Sequence, residues 1–409
     1  MLKFIKLTGV HMELSNEEEK QIIGRNIDLP ISVKKVKSDV IELSKFIHSN
    51  PELGSEEFKC SAKLIDFLKK WGFEVDENYL GMKTAFLARV GQGEPKVAVF
   101  AEYDALPIGH ACGHNILGSW AFGVGASLAD EMKKLKSGTL YIVGSPAEEG
   151  RGQYASSKVV IAPELVKDGV KAVFTTHPVD EWDVGNYNLG IMRYSLIFYG
   201  RDAHAAVSPE KGINALDAAV DFYINFRMMV GLLGRKHQIV LSAIIKDGGT
   251  APNVIPGRAE LWIDMRSENA EFLHEIFDRT REIAKNLASV HSCTFEYKPL
   301  APEMKPMKRN DLLDSIYYEN ATRYLGNIVI SPAEIYSRPP RASSDVGNVS
   351  QLIPTCHLGI KIGPVGIAGH SENFREAART SQAQEALMTG IAIAHDSILQ
   401  YFEMKNNGK

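Results

Sequence analysis

The chain has 409 residues, of which 44% are hydrophobic and 23% are charged. The length is that of two or three domains, and the composition is ordinary for a globular protein with a large core. Its 46 basic and 50 acidic side chains leave a net charge of −4, with no basic excess for nucleic acid. The four cysteines form no C-x-x-C pair, which excludes a disulfide framework and favours a reducing, cytoplasmic location.

The first 32 residues are expected to be an extension ahead of the folded part. Lys3 and Lys6 interrupt its apolar positions, so the pattern does not predict a secretory signal. Met12 offers an alternative start. No apolar run approaches the ~20 residues that a membrane span needs, so no membrane association is expected.

Apolar strands alternate with helical segments over residues 33–192, which predicts an α/β domain with a mostly parallel sheet covered by helices. A similar pattern returns in residues 301–409. The predicted helices of the first segment are Ser32–His48, Glu56–Trp71 and Asn115–Lys134, and its predicted strands are Lys96–Ala101, Thr139–Gly144 and Lys171–His177.

Residues 193–300 follow a different pattern, strand-helix-strand-strand-helix-strand, which is typical of a ferredoxin-like α+β unit. We therefore expect one catalytic domain, 33–192 and 301–409, interrupted by an inserted domain. The predicted helices of the insert are Gly212–Leu233 and Glu268–Ser289, and its later strands are Gln238–Ile245, Arg258–Met265 and Cys293–Tyr297.

Four predicted strand ends carry side chains that could bind a metal. In open α/β sheets, functional sites form at the carboxyl ends of the strands. Phe100–Asn115 holds Cys112 and His114, and the pair Glu148-Glu149 could supply one ligand and one base. His177 and His370 also follow strands. This mixture of donors suits zinc, with manganese or cobalt tolerated.

Each of these residues also has an ordinary interpretation when taken alone. Cys112 could be a buried thiol, a lone histidine a core residue, and the Glu148-Glu149 pair a solvated turn. The residue types also permit a cysteine-nucleophile hydrolase using Cys112, or a non-catalytic protein that binds a small molecule on the same scaffold. The clustering of the donors favours a metal site over these alternatives.

The motifs, taken together, resemble the amidohydrolase branch of the aminoacylase/carboxypeptidase metallopeptidases. The nearest subgroup is that of aminobenzoyl-glutamate hydrolases and β-alanyl-lysine dipeptidases. The matching segments are FIHSNPELGSEE (Phe46–Glu57), AEYDALP (Ala101–Pro107), GHACGHN (Gly109–Asn115), PAEEG (Pro146–Gly150), THP (Thr176–Pro178), GRDAHAAVSPEKGINALDA (Gly200–Ala218), GGTAPNVIPGRAEL (Gly248–Leu261), RASSDVGNVS (Arg341–Ser350) and GHSENF (Gly369–Phe374).

The resemblance implies a zinc-exopeptidase-like fold with two divalent metal ions, zinc or manganese with cobalt tolerated. Glu148 would be the general base that accepts a proton from a metal-activated water. Asp104 would orient a ligand histidine. The implied metal ligands are Cys112, His114, Glu149, His177 and His370.

The resemblance also assigns roles to the inserted domain, which would be a lid and the site of dimerisation. His204 would reach into the active site of the partner subunit of a homodimer or larger oligomer. Asn253 and Arg266 would bind the free carboxylate of the substrate, an N-acyl amino acid or dipeptide whose amide bond is hydrolysed.

Two positions depart from the common pattern of the branch, which has aspartates where this chain has Glu102 and Asn115. Other members with two metals have a histidine ligand at the position of Glu102, so its coordination is left open. Asp345 either lies beside the site or facing the substrate, or is a simple turn residue.

Overall fold

A computed structural model describes residues 28–185, 188–233, 238–340 and 342–408. Most of the predicted extension, 1–32, lies outside these residues. The first segment of the catalytic domain contains, in chain order, α1 (Ile31–Ser49), α2 (Phe58–Lys70), β1 (Glu74–Glu77), β2 (Phe86–Gln92), β3 (Lys96–Ala101), α3 (His114–Lys134), β4 (Gly138–Gly144), α4 (Lys158–Lys167), β5 (Val170–Val179) and β6 (Asp183–Val184).

The inserted domain contains β7 (Gly190–Tyr199), β8 (Ala203–His204), α5 (Ala215–Leu233), β9 (Ile239–Asp247), β10 (Val254–Ile255), β11 (Arg258–Ser267), α6 (Ala270–Val290) and β12 (Thr294–Pro299). The last segment contains α7 (Asp311–Leu325), α8 (Pro332–Ser337), α9 (Val346–Ser350), β13 (Thr355–Lys361), α10 (Glu372–Ala377) and α11 (Ser381–Asn406). The predicted helices and strands are confirmed, with shifts at their ends.

Seven strands form the sheet of the catalytic domain in the order β1-β2-β4-β3-β5-β13-β6. Its four central strands, β4, β3, β5 and β13, are mutually parallel. The outer pairings are antiparallel. Because the central strands run the same way, the loops that follow them meet at one edge of the sheet.

Helices cover both faces of this sheet. On one face, α1 buries Val33, Val36, Val40, Leu43 and Ile47, which repeat at helical spacing and form a single stripe. The same core includes α3, which is buried on nearly all sides between α1 and α11. The smaller core on the other face includes Ile161 of α4 and Val349 of α9.

The inserted domain folds around its own core. Its antiparallel sheet has the order β12-β7-β11-β9, and α5 and α6 pack on it. Strand-helix-strand-strand-helix-strand connectivity with this order is the ferredoxin-like arrangement that the sequence predicts. The sheet begins at Gly190, slightly before the expected boundary at residue 193.

A search of the helices in the described ranges for a span long and apolar enough to cross a bilayer finds none.

Candidate active site

The loop between β3 and α3 brings Cys112 and His114 to the carboxyl edge of the sheet. Gly113 lies between them with φ of +80°, and a Cβ atom there would lie 2.6 Å from Cγ of Pro178. A side chain at this position would therefore meet both backbone strain and a steric clash. Glycine lets the loop turn sharply, so that residues on both sides of it face the same site.

Two histidines at this edge have fixed ring orientations. The Nδ1 atom of His114 lies 2.9 Å from Oδ1 of Asp104, and Nδ1 of His177 lies 2.8 Å from the carbonyl oxygen of Pro178. Because both neighbours are acceptors, each Nδ1 carries the proton and each Nε2 keeps its lone pair. Nε2 of His114 is buried and has no hydrogen-bond partner, as expected of a histidine oriented for a metal ion.

The five predicted ligands lie in two groups that share one sulfur atom. Cys112, His114 and His177 form one group, and Cys112, Glu149 and His370 form the other, with all donor atoms of a group within 4.8 Å of one another. Sγ of Cys112 is 3.4 Å from Nε2 of His177, and Oε1 of Glu149 is 3.5 Å from Nε2 of His370.

These donors fit a pair of divalent metal ions. Sulfur, imidazole nitrogen and carboxylate oxygen are the ligands of zinc sites, and a thiolate common to both groups would lie between two cations. Oε1 of Glu149, like Nε2 of His114, is buried without a hydrogen-bond partner. A bound cation would satisfy both atoms, which otherwise carry a desolvation cost.

Glu148 precedes Glu149 in the turn after β4 and faces the same site. Its Oε1 atom accepts a hydrogen bond of 2.8 Å from Oγ of Ser344, and its Oε2 atom lies 4.0 Å from Nε2 of His114. Burial, with the nearby carboxylates of Glu102 and Asp345, raises the pKa of Glu148 well above its ordinary value.

The turn that carries these glutamates is held by a buried side chain. Ala147, just before Glu148, has φ of +58°, which is rare for a residue other than glycine. Its amide N–H donates to Oε1 of Glu57 at 2.8 Å, and Oγ1 of Thr84 donates to the other oxygen of Glu57 at 2.8 Å. Glu57 lies in the matched segment Phe46–Glu57, so this motif supports the turn.

A cavity of about 560 Å³ opens onto the donor groups. The inserted domain contributes Arg193 and Arg266 to its lining. Both guanidinium groups contact Asp264, at 3.1 Å and 2.9 Å, so together with this carboxylate they carry a net positive charge. The pair offers a site for an anionic group of a ligand.

The structure places His204 and Asn253 elsewhere. Both are exposed, and within the described ranges neither residue lines the cavity. They are neighbours on the inserted domain, where the amide of Ala205 donates to the carbonyl oxygen of Asn253 at 2.9 Å. Of the three substrate-binding residues predicted there, one chain brings only Arg266 to the cavity.

Comparisons with known proteins agree on one family. Residues 186–292 match the peptidase dimerisation domain. The human Xaa-Arg dipeptidase is 32% identical, over 86% of this chain and 83% of its own. One of the subunits of the Escherichia coli p-aminobenzoyl-glutamate hydrolase is 32% identical, over 62% and 56%. A Bacillus subtilis structure, described as a dinuclear metal-binding peptidase from the M20 family, has a TM-score of 0.64 at 21% identity, covering 88% of this chain and 98% of that one. The chain belongs to the M20 peptidase family.

This membership confirms the predicted resemblance, and it makes the chain a metallo-amidohydrolase of the M20 type. The structural likeness confirms the predicted mixed α/β fold with a separate dimerisation domain. The description as a dinuclear metal-binding protein belongs to the Bacillus structure. For the present M20 chain, the structure shows groups of residues that could hold metal ions.

The cysteine-nucleophile alternative finds little support in this M20 site. Burial raises the pKa of the Cys112 thiol above its ordinary value, so without a cation the sulfur stays protonated. A nucleophilic cysteine needs the thiolate form. A divalent cation between the two donor groups would favour the thiolate as a ligand.

The two positions that depart from the common pattern have structural partners. Nδ2 of Asn115 donates to Oγ of Ser44 at 3.1 Å and to the carbonyl oxygen of Ala378 at 2.9 Å, so it ties α3 to neighbouring segments. Glu102 is buried, with Oε2 3.6 Å from Nε2 of His114 and Oε1 2.8 Å from Nζ of Lys158. Asp345 also binds this lysine, so it is not a simple turn residue.

Sequence analysis missed three residues at or beside the site: Lys158, Arg193 and Ser344. A signal existed for Lys158, because it directly precedes the apolar run Val159–Ala162 on a helix with few polar positions. A lysine in such a segment is either exposed or paired with a buried carboxylate. Nothing comparable marks Ser344 or Arg193, since serine and arginine are common in surface loops and at strand ends.

Proposed function

We propose that the protein hydrolyses the amide bond of a dipeptide or N-acyl amino acid that has a free carboxylate. The observation that carries this proposal is the arrangement of two donor groups sharing Cys112, with Glu148 on one side and Arg266 across the cavity. The metal groups and the base surround the position of a scissile bond. The arginine lies where the carboxylate of the product amino acid would be.

Two zinc or manganese ions held by Cys112, His114, Glu149, His177 and His370 would supply Lewis-acid chemistry, polarising the carbonyl and activating water for attack. Asp104 would act through His114, since its carboxylate fixes the proton on Nδ1 and leaves Nε2 as the donor. This assigns Asp104 an orienting role.

Glu148 would move the proton. Ser344 donates to its Oε1 atom, which fixes the carboxylate and leaves Oε2 on the side of His114. Oε2 would accept the proton of the attacking water and deliver it to the leaving amine nitrogen. A carboxylate whose environment favours the protonated form holds that proton until the amine departs.

The inserted domain would bind the carboxylate of the substrate. Arg266 donates to Asp264 and lies 3.4 Å from Oγ of Ser343, which fixes its guanidinium toward the cavity. Arg193 shares the same aspartate, so the pair keeps a positive charge for the substrate. Planar guanidinium groups bind carboxylates through two parallel hydrogen bonds.

We also propose that the active form is a homodimer in a reducing, cytoplasmic environment. A single chain leaves His204 and Asn253 exposed and away from the cavity, so a second copy would have to bring His204 to the site. The matched dimerisation domain supports an interface on the insert. The four cysteines are free and buried, which suits a reducing compartment.

A substrate panel with defined metal content tests this function. It compares dipeptides ending in arginine or lysine, β-alanyl dipeptides, aminobenzoyl-glutamate and N-acetyl amino acids, since the two relatives differ in the residue they are named for. We expect chelation to abolish hydrolysis and added zinc or manganese to restore it. Activity that survives chelation but is lost on thiol alkylation would contradict the proposal.

The variant Glu148→Gln separates the base from the metal ligands. We expect kcat to fall by about 10²–10⁴-fold, the range for loss of a positioned base, while elemental analysis shows unchanged metal content. Glu149→Gln is the matched control at the next position, and we expect it to lower metal content as well. A Glu148→Gln enzyme with normal kcat would remove Glu148 as the base.

A further inference from the structure

Behind the candidate site lies a buried lysine that the proposed reaction does not use. Nζ of Lys158, at the start of α4, is 2.8 Å from Oε1 of Glu102 and 2.6 Å from Oδ1 of Asp345. The side chain of Lys158 is fully buried, as is that of Asp345. Oδ2 of Asp345 also accepts a hydrogen bond of 3.2 Å from the amide of Lys158.

This ion pair joins two parts of the catalytic domain that are far apart in the chain. Glu102 directly follows β3, whereas Asp345 belongs to the segment before α9 that follows the inserted domain. Burial alone would lower the pKa of Lys158, but the carboxylates of Asp345 and Glu102 raise it above its ordinary value. The ammonium therefore stays charged and balances carboxylates that would otherwise repel each other.

The segment held by Asp345 provides two contacts to the site. Oγ of Ser344 donates to Oε1 of Glu148 at 2.8 Å, and Oγ of Ser343 lies 3.4 Å from Nη1 of Arg266. Both serines directly precede Asp345, so their positions depend on where that carboxylate is anchored. Lys158 itself does not line the cavity, whose lining in the described ranges includes Ser343 and Ser344.

We propose that Lys158 is a positioning residue that, through Asp345, holds Ser344 against the carboxylate of Glu148. This inference rests on the proposed function of Glu148 as the base. Lys158 touches neither the substrate nor the ligand groups, so its effect on the reaction passes through the segment 342–345. One ammonium thus connects the end of β3, the base and the segment that contacts the arginine of the insert.

A double-mutant cycle distinguishes positioning from general damage. We expect Ser344→Ala to lower kcat about tenfold or more, as for loss of a hydrogen bond to a charged group. Lys158→Met should lower kcat at least as much, with a smaller change in KM. If Lys158 acts through Ser344, the double variant should be no slower than Lys158→Met alone, whereas independent effects would multiply.

The matched control is Lys167→Met on the same helix, where an exposed lysine pairs with Glu164 at 2.6 Å. We expect its kcat to stay within about twofold of the wild type, since an exposed ion pair contributes little. If Lys158→Met does not fold, Asp345→Asn weakens the same link while keeping the side-chain size. It then takes the place of Lys158→Met in the cycle with Ser344→Ala.

Hydrogen exchange supplies a readout that does not need activity. In Lys158→Met or Asp345→Asn, the amides of residues 342–350 should exchange at least about tenfold faster than in the wild type and in Lys167→Met. Multiplicative kcat effects, or unchanged exchange, would overturn the role of Lys158 even if the enzyme hydrolyses amides. A wild type without hydrolase activity would refute the proposed function, and the exchange result would still decide whether Lys158 holds the segment.

Discussion

Gly113 shows how a single residue can determine the geometry of the donor groups. It separates Cys112, which both groups share, from His114, whose Nε2 atom is buried without a partner. Its φ of +80°, and the 2.6 Å that would separate a Cβ at this position from Cγ of Pro178, leave room for hydrogen only. Two donors one residue apart can therefore face the same site.

We expect Gly113→Ala to weaken metal binding as well as stability. The left-handed conformation costs an L-residue about 1–2 kcal/mol, and relief of the clash with Pro178 would move Cys112 or His114. The measurements are metal content by elemental analysis and the midpoint of thermal unfolding.

Gly81→Ala is the control for this prediction. Gly81 has a similar φ of +76°, but a Cβ there would meet nothing within 4 Å. This variant carries the backbone cost without a clash and should keep full metal content. Equal metal content in the two variants would show that the approach of Pro178 does not matter.

At the scale of elements, Glu57 connects the start of α2 to the turn after β4. Burial, with the carboxylate of Asp104, raises the pKa of Glu57 to about 7. Since the ordinary value is lower, the folded chain binds this proton more tightly than the unfolded chain. The resulting stabilisation is complete below about pH 4.5 and is lost as the pH rises through about 7.

Glu57→Gln should remove this pH dependence, because an amide is neutral at every pH and can still accept from the Ala147 amide. Relative to this variant, the wild type should lose up to about 3 kcal/mol of unfolding free energy between pH 5 and pH 8. Denaturant unfolding of the metal-free protein at several pH values measures the difference. Glu56→Gln, at the exposed neighbouring position, should behave like the wild type, and a pH-independent difference for Glu57→Gln would contradict the argument.

Much of the fold could be predicted from local patterns. The apolar spacing of α1 and the short buried runs of β3, β4 and β5 are visible in single segments. The grouping of Cys112, Glu149 and His177 could also be anticipated, because parallel strands that precede such residues end at one edge. Their action as ligands is still a proposal.

Other parts of the site depend on contacts between distant segments. Lys158 pairs with Asp345, 187 positions away, and nothing in either segment specifies the other. The partnership of Arg193 and Asp264 requires the register of β7 against β11, which local alternation does not fix. Sequence periodicity shows which face of an element is buried but not which element covers it.

At the scale of the whole molecule, the inserted domain has an exposed apolar stripe. Val220, Ile224, Met228 and Leu232 of α5 recur every four residues and are 38%, 49%, 64% and 75% exposed. The neighbouring β9 is an edge strand of the sheet and exposes Val240 and Ile244. A stripe of this kind beside an open strand edge is typical of a protein interface, and it supports the proposed homodimer.

Subunit mixing tests whether His204 acts across that dimer. His204→Ala and Glu148→Gln should each be inactive alone. In a mixed dimer, the chain that keeps Glu148 would receive an intact His204 from its partner, so one site of the two is complete. Random reassociation of equal amounts should therefore restore about a quarter of the wild-type activity.

The control mixes His204→Ala with Cys112→Ala/His204→Ala, a pair in which no subunit can provide His204, and it should stay inactive. Both single variants should keep the oligomeric state of the wild type by light scattering, so that loss of activity is not loss of the dimer. A mixture that stays inactive although the subunits exchange would place the action of His204 within its own chain. In that case the inserted domain would have to rotate toward the cavity, because the single chain leaves His204 exposed outside its lining in the described ranges.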